Sequence, residues 1–282
     1  MDLEQIRKLI IIAICSDDDL LDLLVLKGGN ALGLIHGIGT RSSVDVDFSM
    51  SGDFEDLEGA KSKLFRVLKD RFDAHGHVVF DEKFEQKPSK NPIDPEWGGY
   101  RVEFKLISRE KYEELDGNLD AMRRQSLDVD EAGSTRKFKI DISKYEYTQG
   151  KEEAEIDHYT CYVYTLPMIA AEKLRAICQQ MEGYPLVKNP RARARDFYDI
   201  YSIVDARAMD LGKKEFIELV AHMFEAKKVP LSFLGEIQDQ YDFHAQDWPA
   251  VRDTIQDVDQ DFRFYFDFVV KQVGKLESLW VE

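Results

Sequence analysis

Hydrophobic and polar positions alternate along this chain with two different periods. Residues 2–15 and 18–24 repeat apolar side chains at helical spacing, and "VLKGG" then turns through Gly28 and Gly29 into a short helix from Ala31 to Ile35. "SSVDVDFSM" switches to strict alternation: Val44, Val46 and Phe48 point one way, and Ser43, Asp45, Asp47 and Ser49 the other. A helix over 54–73 follows, then strands over 77–84 and 99–107, joined by a Pro/Gly-containing loop as an antiparallel pair. A polar helix over 109–124 leads into "RKFKIDISKYE", where Phe138, Ile140 and Ile142 alternate with Lys139 and Asp141. After an acidic loop over 151–157 and a strand "YTCYVYTL", every period from Pro167 onward is helical: 167–182, 191–206, 213–227, 231–241 and a long helix over 248–280. The pattern predicts an α+β chain, with a mixed-sheet domain over 1–165 and an all-helical domain over 166–282.

Composition narrows the class. The 282 residues, 44% hydrophobic and 33% charged, describe a globular protein without low-complexity tracts. No apolar run reaches the roughly 18 residues a membrane span needs, and the start of the chain lacks a signal-peptide pattern, so the expectation is a cytoplasmic protein with no membrane partner. Cys15, Cys161 and Cys178 show no Cys-x-x-Cys spacing and read as reduced core residues; His75 and His77 read as a loop-to-strand junction rather than a metal pair. The net charge of −16 excludes a surface broadly suited to nucleic acid. One stretch runs against it: Lys173, Arg175, Lys188, Arg191, Arg193 and Arg195 face a single acid, Glu182, between 173 and 195. A phosphate-binding site and a solvated basic loop both satisfy that count.

Asp45 and Asp47 raise the chemical question. Two carboxylates two residues apart on one strand face repel unless a cation lies between them, and carboxylates plus substrate phosphates are the usual setting for Mg²⁺. Asp141, on the polar side of another strand, is the expected third ligand. The bland alternative is a strand edge carrying acids for solubility. Gly28 and Gly29 upstream offer backbone N–H groups to a phosphate chain, and with Arg41, Ser43, Asp45 and Asp47 they outline a nucleoside triphosphate site.

Two further charges sit on apolar faces. On the helix from 167, Lys173 falls inside the arc of Ile169, Leu174 and Ile177, whereas Glu172 and Arg175 fall outside it as surface charges. On 191–206, Asp196 lies within the stripe of Phe197, Ile200 and Ile203, with Asp199 at its border. A charge on a buried face must be paired or meet a ligand. Either Lys173 and Asp196 clamp two helices together, or both face a cleft where Lys173 meets nucleotide phosphate and Asp196 orients it or acts as base.

"KGGNAL", "RSSVDVDF", "EKLRAI" (172–177) and "RARDFYDI" (193–200), in that order, resemble the motifs of the AbiEii/AbiGii family of nucleotidyltransferase-like toxins, known from abortive-infection and type IV toxin–antitoxin systems. The resemblance implies a DNA-polymerase-β-like nucleotidyltransferase fold with a helical C-terminal domain. It implies NTP and Mg²⁺ as substrate and cofactor, NMP transfer to an acceptor hydroxyl such as the tRNA 3′ end, and a cognate antitoxin as partner. It further implies Asp45 and Asp47 as catalytic metal ligands, Lys173 and Asp196 as catalytic residues, and Lys27, Gly28, Gly29, Asn30, Arg41 and Ser43 as the nucleotide-binding set. Asn30 stands where a Ser or Thr often follows the paired glycines, and its amide can still hydrogen-bond phosphate. Residues 206–282 match no motif of the family. Two other functions fit the same residues: a kinase-like phosphotransferase, and a non-catalytic module whose acidic surface is bound by a basic partner.

Overall fold

A computed structural model describes residues 1–38, 45–89, 94–129, 135–255 and 260–281. The chain divides into two compact units: Met1–Ile35 with Ser43–Val163, and His36–Ser42 with Tyr164–Glu282.

The first unit opens with α1 (Leu3–Cys15), whose N-terminus is capped by the Asp2 carboxylate accepting from the Gln5 N–H, and α2 (Asp18–Leu23). Then come β1 (Val25–Lys27), a helical turn α3 (Gly28–Asn30) continuing as a π-helical turn over Ala31–Ile35, and β2 (Val46–Ser49). The helix α4 (Leu57–Asp73) precedes the antiparallel pair β3 (His77–Lys87) and β4 (Gly99–Ser108), and two short helices, α5 (Arg109–Glu114) and α6 (Leu119–Gln125), precede β5 (Phe138–Ser143), β6 (Glu152–Ile156) and β7 (Tyr159–Val163). The strands form one mixed sheet in the order β3-β4-β5-β2-β1-β7-β6, parallel at β5/β2 and β1/β7 and antiparallel elsewhere.

Alternation in the central strands gives the sheet two different faces. Val46 and Phe48, Ile140 and Ile142, and Val102 and Phe104 are buried beneath α1 and α4, where Ile10, Ile14, Leu64, Leu68 and Phe72 complete the core. Each such side chain contributes roughly 1.5–3 kcal/mol on burial. Their neighbours along the strands, Asp47, Lys139, Asp141, Arg101 and Glu103, stand on the opposite, partly exposed face.

Four expectations need correcting. β1 was not predicted, because three residues buried throughout show no period. The acidic stretch 151–157 contains β6, an edge strand whose acids stay in solvent while its backbone pairs with β7. The polar helix over 109–124 breaks where Asp116 and Gly117 take positive φ, and Asn118 caps the next helix. The long helix over 248–280 is instead α12 (Trp248–Arg252), then α13 (Phe262–Val273) capped by Asp261, then a 3₁₀ stretch over Gly274–Leu279.

The second unit is helical. α7 (Leu166–Cys178), capped by Thr165, is the central element, packed by α8 (Ala194–Arg207) and α9 (Lys214–Glu225). Short helices α10 (Phe233–Glu236), α11 (Tyr241–Ala245) and α12 lead to α13, which lies on α8 with Phe197, Phe262 and Phe266 in ring contact.

Candidate active site

Strand register assembles a row of charged residues within the sheet unit. Lys27 pairs with Asp47, Asp47 with Asp141, and Asp141 with Arg101, so one row crosses β1, β2, β5 and β4 on the polar face with charges in the order plus, minus, minus, plus. Asp45 lies one residue before β2, and the Asn30 amide donates to its backbone carbonyl at 2.7 Å. Asn30 is buried, and this bond ties the turn after β1 to the backbone that carries Asp45. Gly28, at φ 68°, brings its backbone against Asp47: a Cβ added there would lie 2.7 Å from Oδ2. Only glycine takes both that φ and that approach without strain. Arg41 and Ser43 lie outside the described residues.

Lys27 is buried and donates to the Ser143 hydroxyl at 3.1 Å, with Glu146 Oε1 at 3.7 Å. Beside it Lys144 reaches Asp53 at 2.6 Å, and the Tyr100 hydroxyl donates to the same carboxylate at 2.6 Å. Burial alone would raise the Asp53 pKa, but the Lys144 and Tyr100 hydrogen bonds outweigh it and hold the group below the usual range. Ser143, Glu146, Lys144 and Asp53 escaped the sequence reading, because a cluster of one or two residues from each of several strands and loops has no local signature.

Asp141, the expected third ligand, stands beside a cation. Arg101 grips it side-on, Nε to Oδ1 at 2.7 Å and Nη2 to Oδ2 at 2.8 Å. Among the described residues no three Asp, Glu, His or Cys side chains form a group that could hold a metal ion, so Asp45, Asp47 and Asp141 do not converge as a trio. The physical reason is the guanidinium beside Asp141, a competitor placed by the β4/β5 register. Asp45 and Asp47 alone keep the chemistry that suits Mg²⁺, hard carboxylate oxygens two residues apart next to a glycine-lined approach.

A second cluster of charged residues lies within the helical unit. Lys173 on α7 bonds Asp196 Oδ1 at 3.1 Å and Asp199 Oδ2 at 2.6 Å, and Arg193 Nε bonds Asp196 Oδ2 at 2.5 Å. Lys173, Asp196 and Asp199 are all buried, so these charges tie α7 to α8. Burial alone would raise the Asp196 pKa; Arg193 and Lys173 outweigh it and drive the carboxyl far below its ordinary value. The start of α8 has no side-chain cap of its own. The Arg193 N–H donates to His244 Nδ1 at 3.0 Å, and the Ala194 N–H to Asp247 Oδ1 at 3.1 Å. Arg175, expected on the surface, is buried, with Nη1 donating to the Met223 carbonyl at 3.2 Å, because α9 covers a second side of α7. The stretch from Lys173 to Arg195 is therefore no single basic patch: its first two cations face inward, and Lys188, Arg191 and Arg195 are exposed.

A family model described as the nucleotidyl transferase AbiEii toxin of a type IV toxin–antitoxin system matches residues 11–270. The chain belongs to the AbiEii family. Its members are nucleotidyltransferases, and the chain is assigned to that enzyme class with them. Two solved structures share the fold at TM-score 0.51 and 17% identity. JHP933 from Helicobacter pylori is covered over 91% of its length by 99% of this chain, and a candidate nucleotidyltransferase from H. pylori over 94% of its length by 98%. No curated protein matches the sequence. All four AbiEii-like motifs fall inside the matched residues, and both the nucleotidyltransferase-type mixed sheet and the helices after it agree with the α+β class. No helix among the described residues is long and apolar enough to cross a membrane.

Proposed function

We propose that this AbiEii protein transfers a nucleoside monophosphate from an NTP to an acceptor hydroxyl, with the tRNA 3′ end as acceptor and a cognate antitoxin as its controlling partner. The observation that carries the reading is Asp47 set over Gly28, with Asp45 pinned by Asn30 beside it. Asp45 and Asp47 would hold Mg²⁺, which when bound neutralises charge on the triphosphate and on the departing pyrophosphate. The Gly28–Gly29 turn gives the triphosphate an approach free of side chains. The acceptor oxygen bonds to the α-phosphorus as the α–β phosphoanhydride bond breaks and pyrophosphate leaves.

We assign the hydroxyl proton to solvent at the partly exposed sheet face rather than to Asp196, which is shut in and held by two cations and so is poorly suited to act as base. Lys173 and Asp196 serve in this reading as the clamp of the helical unit.

The test supplies the protein with Mg²⁺, total cellular RNA and protein, and each NTP labelled at the α or the γ phosphorus. Label from the α position in RNA is the expected result. Label from γ alone would make the protein a phosphotransferase, and no transfer from either would favour the partner-binding module. Asp45→Asn and Asp47→Asn are each expected to cut transfer at least about a hundredfold while shifting stability by less than about 1 kcal/mol.

A further inference from the structure

The Arg101–Asp141 pair sits where a two-ion nucleotidyl transfer site would need an open carboxylate. Asp141 is the register partner of Asp47, on the same face, so an ion bridging them would be the natural second metal. Both Asp141 oxygens instead accept from Arg101, through the fork that fits a carboxylate bidentately. A guanidinium has five N–H groups, and this grip uses two. The side chain is one-third exposed, on the face that carries Asp47, and it interacts electrostatically with Asp45 as well as Asp141. Lys27, the other cation of the row, is turned toward Ser143 and Glu146.

We propose that Arg101, oriented by Asp141, supplies the second positive charge of the site in place of a second divalent ion, and that its remaining N–H groups bind phosphate of the NTP. The protein is then a one-metal nucleotidyltransferase, with Asp45 and Asp47 as its ion-holding pair and Asp141 a positioning residue. The inference rests on the function proposed above. A cross-strand ion pair that served only to hold β4 against β5 would leave both metal count and nucleotide affinity unchanged when removed.

The experiment counts Mn²⁺, used in place of Mg²⁺, on the full chain with α,β-methylene analogues of the four NTPs, by electron paramagnetic resonance with calorimetry alongside. Wild type is expected to hold one ion per chain with an uncoupled six-line spectrum. Arg101→Ala is expected to weaken analogue binding at least about tenfold and, with Asp141 released, to admit a second, spin-coupled Mn²⁺. Adding Asp141→Asn should return the count to one. Arg101→Lys keeps a charge without the fork, should show intermediate affinity, and guards against a poorly folded alanine variant. Two coupled ions on wild type, or an Arg101→Ala protein that still binds one ion and the analogue with unchanged affinity, would overturn the inference and leave the proposed function standing. Mn²⁺–analogue binding unaffected by Asp47→Asn, or absent from wild type, would sink the proposed function and this inference with it.

Discussion

Replacing Lys173 with Met gives the clearest test of what the buried charges do. The methionine fills much of the same volume and removes the ammonium from between Asp196 and Asp199, its partners at 3.1 and 2.6 Å. Removing one member of a buried ion pair typically costs 3–5 kcal/mol, because the charge left behind has lost its compensation in a poorly solvated place. Asp196 keeps Arg193 at 2.5 Å, which places the loss toward the lower end, about 3 kcal/mol. For a chain of 282 residues that corresponds to a fall in Tm of roughly 5 °C. Urea unfolding followed by the fluorescence of Trp248 and Trp280, both in the helical unit, measures it. A second variant, Lys173→Met with Asp199→Leu, removes cation and anion together and is expected to recover most of the loss, since apolar replacement of a whole buried pair is often neutral. A Lys173→Met protein as stable as wild type but with a raised KM for NTP would refute the clamp and return the lysine to the nucleotide.

The remaining predictions concern neighbouring features. Gly28→Ala meets both a left-handed φ and the Asp47 carboxylate, so it is expected to cost roughly 1–3 kcal/mol in thermal or urea unfolding, with a loss of transfer out of proportion to that figure. His244 is fully buried, and because its Nδ1 accepts from Arg193, Nε2 carries the ring proton and has no partner among the described residues. Burial pushes its pKa down to about 4, against 6.5 when exposed, so the unfolded chain takes up a proton first as the medium is acidified. This group therefore costs nothing above pH 6.5 and about 2 kcal/mol by pH 5. In unfolding curves at pH 7 and pH 5, His244→Asn, which keeps an acceptor for the Arg193 N–H, is expected to lose that part of the acid sensitivity.

What could be read from the sequence was whatever a single element encodes by itself. Strict alternation put Asp47 and Asp141 on the polar sides of their strands, and the helical period put Lys173 and Asp196 on buried faces, as the side-chain packing bears out. Arg175 was misplaced by the same method, because a helical wheel assumes one covered side and α7 is covered by both α8 and α9. Asp199, at the border of its stripe, turned out to be the shorter of the two bonds to Lys173. His244 and Asp247 hold the start of α8 from about fifty residues away, and no local period announces such a contact.

The same distinction governs the candidate chemistry. Periodicity says which face a charge takes, whereas register says which charge stands beside it, and a carboxylate's work depends on that neighbour. With Asp47 alongside, Asp141 reads as a metal ligand; with Arg101 on its other side, its oxygens are already engaged. The β4/β5 register supplied that second neighbour, Arg101, from a strand 40 residues away in sequence. A shift of one residue between those strands would turn Arg101 to the buried face and release Asp141, so in the one-ion reading proposed above the pairing of two strands, more than the identity of any one acid, would set how many metal ions the site takes.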